Sequence, residues 1–363
     1  MIRIARPEVD DDARRAVLEA LDSGQLAQGP RVAAFEQAFA EFSGVEHAVA
    51  VNSGTAALHV ALLAHRIGPG DEVIVPAFSF ASTANVVLQA GAKPVFVDVR
   101  EDDFGIDPDA VEAAITGRTR AVIAVHLYGQ TCDVERVASI CASRSVVLVE
   151  DAAQAVGAAM GGRRAGSFGT GCFSFYATKN LHTGEGGMIT TSDAAIAAAA
   201  RVFRSQGERE RYVTETLGYN YRMTEIAAAL GVSQLPKLEE RTERRRANAA
   251  RLSGLLAANR AVVVPRELSG RSHVFHQYTL RLRAGRDARD ALRAALLDRG
   301  IESAVFYPTP IHQQPLYRRL GYGDLRLSIA ERLAAEVLSL PVHPLLTAAE
   351  LDAVAAAVND LAR

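Results

Sequence analysis

Three of the 363 residues carry a primary amine on the side chain: Lys93, Lys179 and Lys237. The rest of the 40 basic residues are arginines. A guanidinium stays protonated and forms no imine, so arginine cannot replace a nucleophilic amine. Lys179 follows the apolar run Phe173-Ser174-Phe175-Tyr176-Ala177 and is flanked by small and hydroxyl-bearing residues. Desolvation at such a position lowers a lysine pKa and makes the amine nucleophilic. Lys93, in the turn AGAKP, and Lys237, after Pro236, read as surface residues.

Two other segments carry chemistry. Ser53-Gly54-Thr55 follows an apolar strand-like run and opens the helical pattern AALHVALLA. The free N–H groups of a helix N-terminus bind phosphate, although Ser and Thr are also ordinary N-caps. Glu150-Asp151-Ala152-Ala153-Gln154 ends another apolar run. An acid there can hold a protonated pyridine nitrogen, fix a histidine, bind a metal or cap a helix; ligands of open α/β sheets bind at this edge. Together the three segments supply a phosphate cradle, an acid and an isolated lysine. These are the parts of a pyridoxal phosphate enzyme.

The elements that must position them are regular. Apolar runs at 47–52, 72–77, 94–99, 121–129 and 146–151 alternate with helical patterns at 55–66, 80–90, 108–116 and 133–143. Runs apolar throughout belong to strands covered on both faces. Their alternation with helices predicts a mostly parallel sheet. Segments 171–177 and 186–192 read as two more strands. A long helix is expected over 224–257, interrupted by Pro236. The rest mixes strands (261–265, 276–282, 303–308) with helices (287–299, 328–339, 347–362), as in a smaller α+β unit.

With 42 acidic and 40 basic residues the net charge is -2, which disfavours nucleic acid as the main partner. The basic run Arg241 to Arg251, interleaved with glutamates, reads as a solvated helix face. The opening segment MIRIARPEVDDDARRA has no apolar core with a cleavage site. No apolar run reaches the roughly 20 residues that span a bilayer. Cys132, Cys141 and Cys172 form no metal-ligand pattern, and no metal is expected; free thiols fit a reducing cytoplasm.

Longer stretches carry a resemblance: GPRVAAFEQAFAEFSG, NSGTAALHVAL, GDEVIVPAFSFASTANVV, GAKPVFVDV, AVHLYGQTCDV, VEDAAQAVGA, GSFGTGCFSFYATKNLHTGEGGM, LGYNYRMTEIAAALG and YPTPIHQQP. From about Gly29 onward the chain resembles the DegT/DnrJ/EryC1/StrS family of sugar aminotransferases. The resemblance implies an α/β, fold type I aminotransferase. Residues 1–240 would form a large cofactor-binding domain and 241–363 a small C-terminal α+β domain, with the N-terminal helix packing on the small one. It also implies a homodimer and pyridoxal 5'-phosphate, held as pyridoxamine phosphate between half-reactions.

By the same resemblance, Lys179 is the Schiff-base lysine and Asp151 the acid at the pyridinium nitrogen. Gln154 lies near the ring hydroxyl. Gly54, Thr55 and Ser174 contact the phosphate. Phe80 stacks on the ring, and Asn220 reaches the phosphate from the partner subunit. The implied reaction moves an amino group from glutamate to a nucleotide-linked ketosugar. Glu185, Tyr307 and His312 are the substrate-side candidates. NLHTGEGGM is closer to enzymes aminating C4, and YPTPIHQQP to those aminating C3; the segment adjoining the lysine tips the expectation to C4. His182 departs from the small residue usual in the family. Competing readings are a dehydratase, which would carry histidine in place of Lys179, a non-catalytic regulatory protein of the same fold, and a plain α/β binding protein.

Overall fold

The computed structural model describes residues 1–362. The apolar runs form one sheet of seven strands: β1 (His47–Val51), β2 (Glu72–Pro76), β3 (Lys93–Val97), β4 (Thr119–Val125), β5 (Val147–Asp151), β6 (Thr170–Ser174) and β7 (Gly187–Thr191). Their spatial order is β1-β7-β6-β5-β4-β2-β3. β7 runs antiparallel to its neighbours β1 and β6, and the other pairings are parallel. β2 and β7 are buried at every residue, as a sheet covered on both faces requires.

Helices α1 (Asp11–Asp22) and α2 (Pro30–Ser43) precede the sheet, and α3 (Gly54–Ala64), α4 (Ser82–Gln89), α5 (Pro108–Ala114) and α6 (Val134–Arg144) connect its parallel strands. The carboxyl ends of β1, β2, β4, β5 and β6 therefore share one edge, where open α/β sheets bind ligands. The predicted strand 121–129 stops at Val125; Tyr128 then turns at φ 59. α2 starts with Pro30 and ends at Gly44 in the left-handed region, φ 70. Its Phe39 meets Phe173 edge-on at 4.9 Å, which anchors β6 just before Ser174.

After α7 (Ala194–Arg204), the expected long helix divides at Pro236. α8 (Glu225–Gln234) and α9 (Leu238–Leu256) flank a 3₁₀ turn there, since proline breaks the i→i−4 ladder. The chain ends around a second sheet, β8 (Val262–Val263), β9 (Tyr278–Leu282) and β10 (Val337–Leu340), antiparallel in the order β8-β9-β10. α9, α10 (Arg286–Asp298), α11 (Ser328–Glu336) and α12 (Ala348–Leu361) enclose its core, which includes Leu252, Leu280, Leu296, Leu338 and Val354.

Two readings of this region are corrected. The helix expected over 328–339 ends at Glu336, because Val337–Leu340 pair with β9. Segment 303–308 makes one bridge, Ala304 to Ser339, rather than a strand. α1 packs on α8, and it is the residues before α1 that meet the C-terminal region: Ile2 bridges Ile301, and Ile4 N–H donates to Glu302 Oε2 at 3.0 Å. Among the described residues no helix is long and apolar enough to cross a membrane.

Candidate active site

Asp151 is the last residue of β5 and is buried. Thr83 Oγ1, from the first turn of α4, donates to its Oδ2 at 2.8 Å, and the Ala153 N–H donates to Oδ1 at 3.2 Å. Ser79 Oγ in turn lies 3.0 Å from Thr83 Oγ1. Burial raises the Asp151 pKa; the bonds from Thr83 and Ala153 and the charge of Lys179 oppose that rise. A cation placed against this carboxylate would restore its ionised form.

Glu150, one residue earlier, points to the other face of the strand, as the period of two requires. It is fully buried and accepts from the N–H groups of Gly166 at 2.8 Å, Phe168 at 2.7 Å and Gly169 at 2.8 Å, with His126 Nε2 at 3.0 Å. Glu150 thus organises the loop entering β6, and Asp151 faces the sheet edge.

Lys179 follows β6 at that same edge. Crowding by protein pushes its pKa down to about 8, and its electrostatic partner is Asp151. The two other lysines are spent elsewhere. Lys93 is largely exposed, 3.6 Å from Glu72. Lys237 is not a free surface residue; it pairs with Asp10 at 2.6 Å and Asp12 at 2.8 Å, tying down the start of α1.

The β1–α3 turn lies beside Ser174. Ser53 is the N-cap, accepting from the Ala56 N–H at 3.1 Å. A Cβ on Gly54 would stand 2.7 Å from Ser174 Cβ, and one on Gly187 would stand 2.3 Å from the Ser53 carbonyl oxygen. These glycines let three chain segments meet at the helix N-terminus. Asn220 is exposed, and its carbonyl accepts from Asn52 Nδ2 at 3.4 Å, near this turn.

Gln154 is fully engaged: its Oε1 accepts from the Tyr128 N–H at 2.7 Å and its Nε2 donates to Tyr307 Oη at 3.1 Å. Tyr128 Oη donates to the Phe306 carbonyl. Tyr307 therefore joins the Asp151–Gln154 end of the site, and burial with the nearby Asp151 charge raises its pKa. Its ring lies 5.8 Å from that of Phe80, which is 57% exposed over the same edge.

The remaining candidates separate. Glu185 is exposed beyond Gly184. His312 is fully buried, 6.2 Å from the Phe96 ring and 3.5 Å from Glu331 Oε1, and burial lowers its pKa. It packs under β3 rather than lining the edge at Lys179. His182 is buried too, its Nε2 3.3 Å from the Glu8 carbonyl oxygen. It thereby anchors the N-terminal segment beside Lys179.

Sequence reasoning missed Thr83, Tyr128 and the inward arginines of α9. Arg241 and Arg245 are buried, whereas Arg244 is exposed. The basic run is thus not a uniformly solvated face. Residues four apart on a helix share a stripe, and that spacing was the available signal.

An acid, a lysine of lowered pKa, an open ring and a helix N-terminus at one edge fit a pyridoxal phosphate. Among the described residues the Thr55 and Ser174 hydroxyls donate no hydrogen bond within the chain, which leaves them for a phosphate. The sequence pattern of the DegT/DnrJ/EryC1/StrS aminotransferase family matches residues 7–359. The chain belongs to that family.

Similar proteins span nearly its whole length. A pleiotropic regulatory protein of Geobacillus stearothermophilus is 44% identical, over 93% of this chain and 90% of that one. The GDP-perosamine synthase of Caulobacter vibrioides is 43% identical, over 99% and 98%. The UDP-N-acetyl-3-dehydro-alpha-D-glucosamine 3-aminotransferase of Acidithiobacillus ferrooxidans is 40% identical, over 96% and 93%. The crystal structure of S. venezuelae DesV in complex with a ketimine intermediate matches with a TM-score of 0.93 at 40% identity, over 97% of this chain and 94% of that one. The architecture is that of the fold type I aminotransferases.

Proposed function

We propose that this chain transfers an amino group from L-glutamate to a nucleotide-linked ketosugar, with the ketone at C4, for amino-sugar biosynthesis. The observation that carries this reading is the convergence of Lys179, Asp151 and the α3 N-terminus on one sheet edge. Two similar proteins support the substrate class, since their names are those of nucleotide-sugar enzymes. One of these names a 3-aminotransferase; the C4 assignment rests on the NLHTGEGGM segment beside Lys179.

Pyridoxal phosphate bound here would supply an electron sink for negative charge at the donor's α-carbon. Gly54, Thr55 and Ser174 hold its phosphate, with Asn220 contributed across a homodimer. Asp151 holds positive charge next to its carboxylate. Gln154, Tyr307 and Phe80 fix the ring's orientation. With the cofactor bound, Lys179 Nζ would take the proton from the donor's α-carbon and deliver it to the cofactor carbon that bore the aldehyde, the 1,3-shift that leaves the amino group on the cofactor. Glu185 and His312 remain substrate-side proposals; the burial of His312 gives it a supporting place behind the pocket. Residues 1–240 serve as the cofactor-binding domain and 241–363 as the smaller one. Three buried free cysteines fit a reducing cytoplasm.

The regulatory reading has the name of one similar protein behind it. An intact lysine and acid have no use in a protein without chemistry, so the enzymatic reading is preferred. Adding pyridoxal phosphate to the purified protein should give an absorbance band in the near ultraviolet to blue. Glutamate with a panel of nucleotide-linked 3-keto and 4-keto sugars should then give an amino sugar and 2-oxoglutarate. No band overturns the reading; turnover confined to 3-keto sugars overturns the position.

A further inference from the structure

Arg245 is a buried cation with no carboxylate partner among the described residues. It is 8% exposed. Its guanidinium meets two main-chain carbonyls, Phe275 O at 3.2 Å and His276 O at 3.5 Å. Partial charges of that kind do not neutralise a buried full charge. Burial, with Arg241 nearby, pushes the Arg245 pKa down to about 10.

Arg241, one turn earlier on α9, differs. It has Glu8 at 3.3 Å and Asp10 at 3.5 Å. Arg241 and Arg245 line a cleft together with Arg6, Glu8, Lys179 and His182. Glu8, the acid of this group, is already engaged by Arg241. Arg6 makes no ion pair among the described residues. The cleft lined by Lys179 therefore carries one buried guanidinium with no acid partner among the described residues and, at its rim, the exposed Arg6, which has the Glu350 carboxylate within electrostatic range.

We propose that Arg245 and Arg6 bind the two carboxylates of an acidic amino-acid donor whose amino group is presented at Lys179. The assignment rests on the aminotransferase reading above and adds the residues that select the donor. Planar guanidinium forks suit carboxylates. A buried arginine whose anion arrives with the substrate repays its own desolvation on binding. The cleft is narrow, so the donor enters as Ala5–Glu8 shifts. That segment is held by His182 on the Glu8 carbonyl and by Arg241 on the Glu8 carboxylate.

The two half-reactions of the holoenzyme separate this assignment from others. Each is followed by the cofactor's absorbance, with glutamate on the pyridoxal form and the ketosugar on the pyridoxamine form. Arg245→Lys, which keeps the charge but loses the planar fork, and Arg6→Gln, which loses the charge, should each lower kcat/KM for glutamate about 30-fold, the scale of a hydrogen bond to a charged group. Both should leave the ketosugar half-reaction unchanged. Arg6→Gln should also narrow the preference for glutamate over alanine, which has one carboxylate. Glutarate, which lacks the amine, should bind the wild-type holoenzyme in calorimetry and compete with glutamate.

Equal losses in both half-reactions would make Arg245 a scaffold residue and overturn the proposal. Losses confined to the ketosugar step would assign the arginines to phosphate and overturn it equally. Arg6 is exposed, so its variant remains informative even if Arg245→Lys misfolds: unchanged glutamate kinetics there, with no glutarate binding to wild type, also overturn the proposal. Absence of any cofactor band would remove the underlying aminotransferase reading. A normal band with unaltered variants would remove this assignment alone.

Discussion

Gly54 and Ser174 touch where no side chain fits between them: a Cβ on Gly54 would lie 2.7 Å from Ser174 Cβ and 3.2 Å from its Cα. The N-terminus of α3 and the end of β6 thus form one surface, with the first helical N–H groups next to a serine hydroxyl. Backbone rather than a flexible side chain is part of the obstacle. Gly54→Ala must therefore move the helix or the strand.

That displacement is expected to cost about 1–3 kcal/mol of stability, the usual penalty of overpacking. Pyridoxal phosphate affinity should fall at least as clearly as the melting temperature. Thermal unfolding with and without cofactor checks this. An alanine variant with unaltered cofactor affinity would show that the α3 turn does not bind the phosphate.

Thr83→Val removes the hydroxyl that donates to Asp151 Oδ2 while keeping the shape of the side chain. A hydrogen bond to a charged group contributes about 1.5–3 kcal/mol. Its loss should raise the Asp151 pKa further, because this bond favours the ionised form. The acidic limb of the kcat–pH profile should move upward accordingly. Asp151→Asn should abolish turnover with the fold intact by circular dichroism.

Lys179 has a pKa pushed down to about 8, against 10.5 for an ordinary lysine. The rate at which the apo-protein combines with pyridoxal phosphate should rise with pH and level off above about 8. A rise continuing toward 10.5 would mean an ordinary lysine. The unfolded chain binds this proton more tightly than the folded one. Apo-protein stability from this group therefore grows as pH climbs from about 8 toward 10.5, and the full penalty holds below that window. Lys179→Ala should abolish turnover, and Lys93→Ala should not.

Glu150→Gln should act differently from any change at Asp151. The carboxylate collects three main-chain N–H groups and a histidine nitrogen. An amide cannot accept at both ends, so at least one buried donor is left unmet, at about 1–3 kcal/mol. The melting temperature should drop, with any loss of turnover recovered at lower temperature. A pure activity loss without destabilisation would contradict this structural role.

Local signals made much of this legible. Fully apolar runs separated by helical patterns announced a sheet covered on both faces, because burial of both sides leaves no polar alternation to read. Pro236 broke a helix where the sequence placed the break. β10 was hidden inside a helical pattern, since Val337–Leu340 become a strand only by pairing with β9. His312, a candidate by its motif, proved to be packed against Phe96.

The sequence by itself determined which residue can supply the amine. Composition left three lysines, and only Lys179 follows an apolar strand among small residues. It also located Asp151 and the Gly54 turn, because strand ends and helix starts have local chemical signatures. Tertiary structure decided what these residues face. Whether Glu150 or Asp151 points to the site edge depends on the strand's register against its neighbours. Whether Arg245 is solvated or buried beside Lys179 depends on how α9 packs. Those are relations between segments distant in the chain, and no local pattern encodes them.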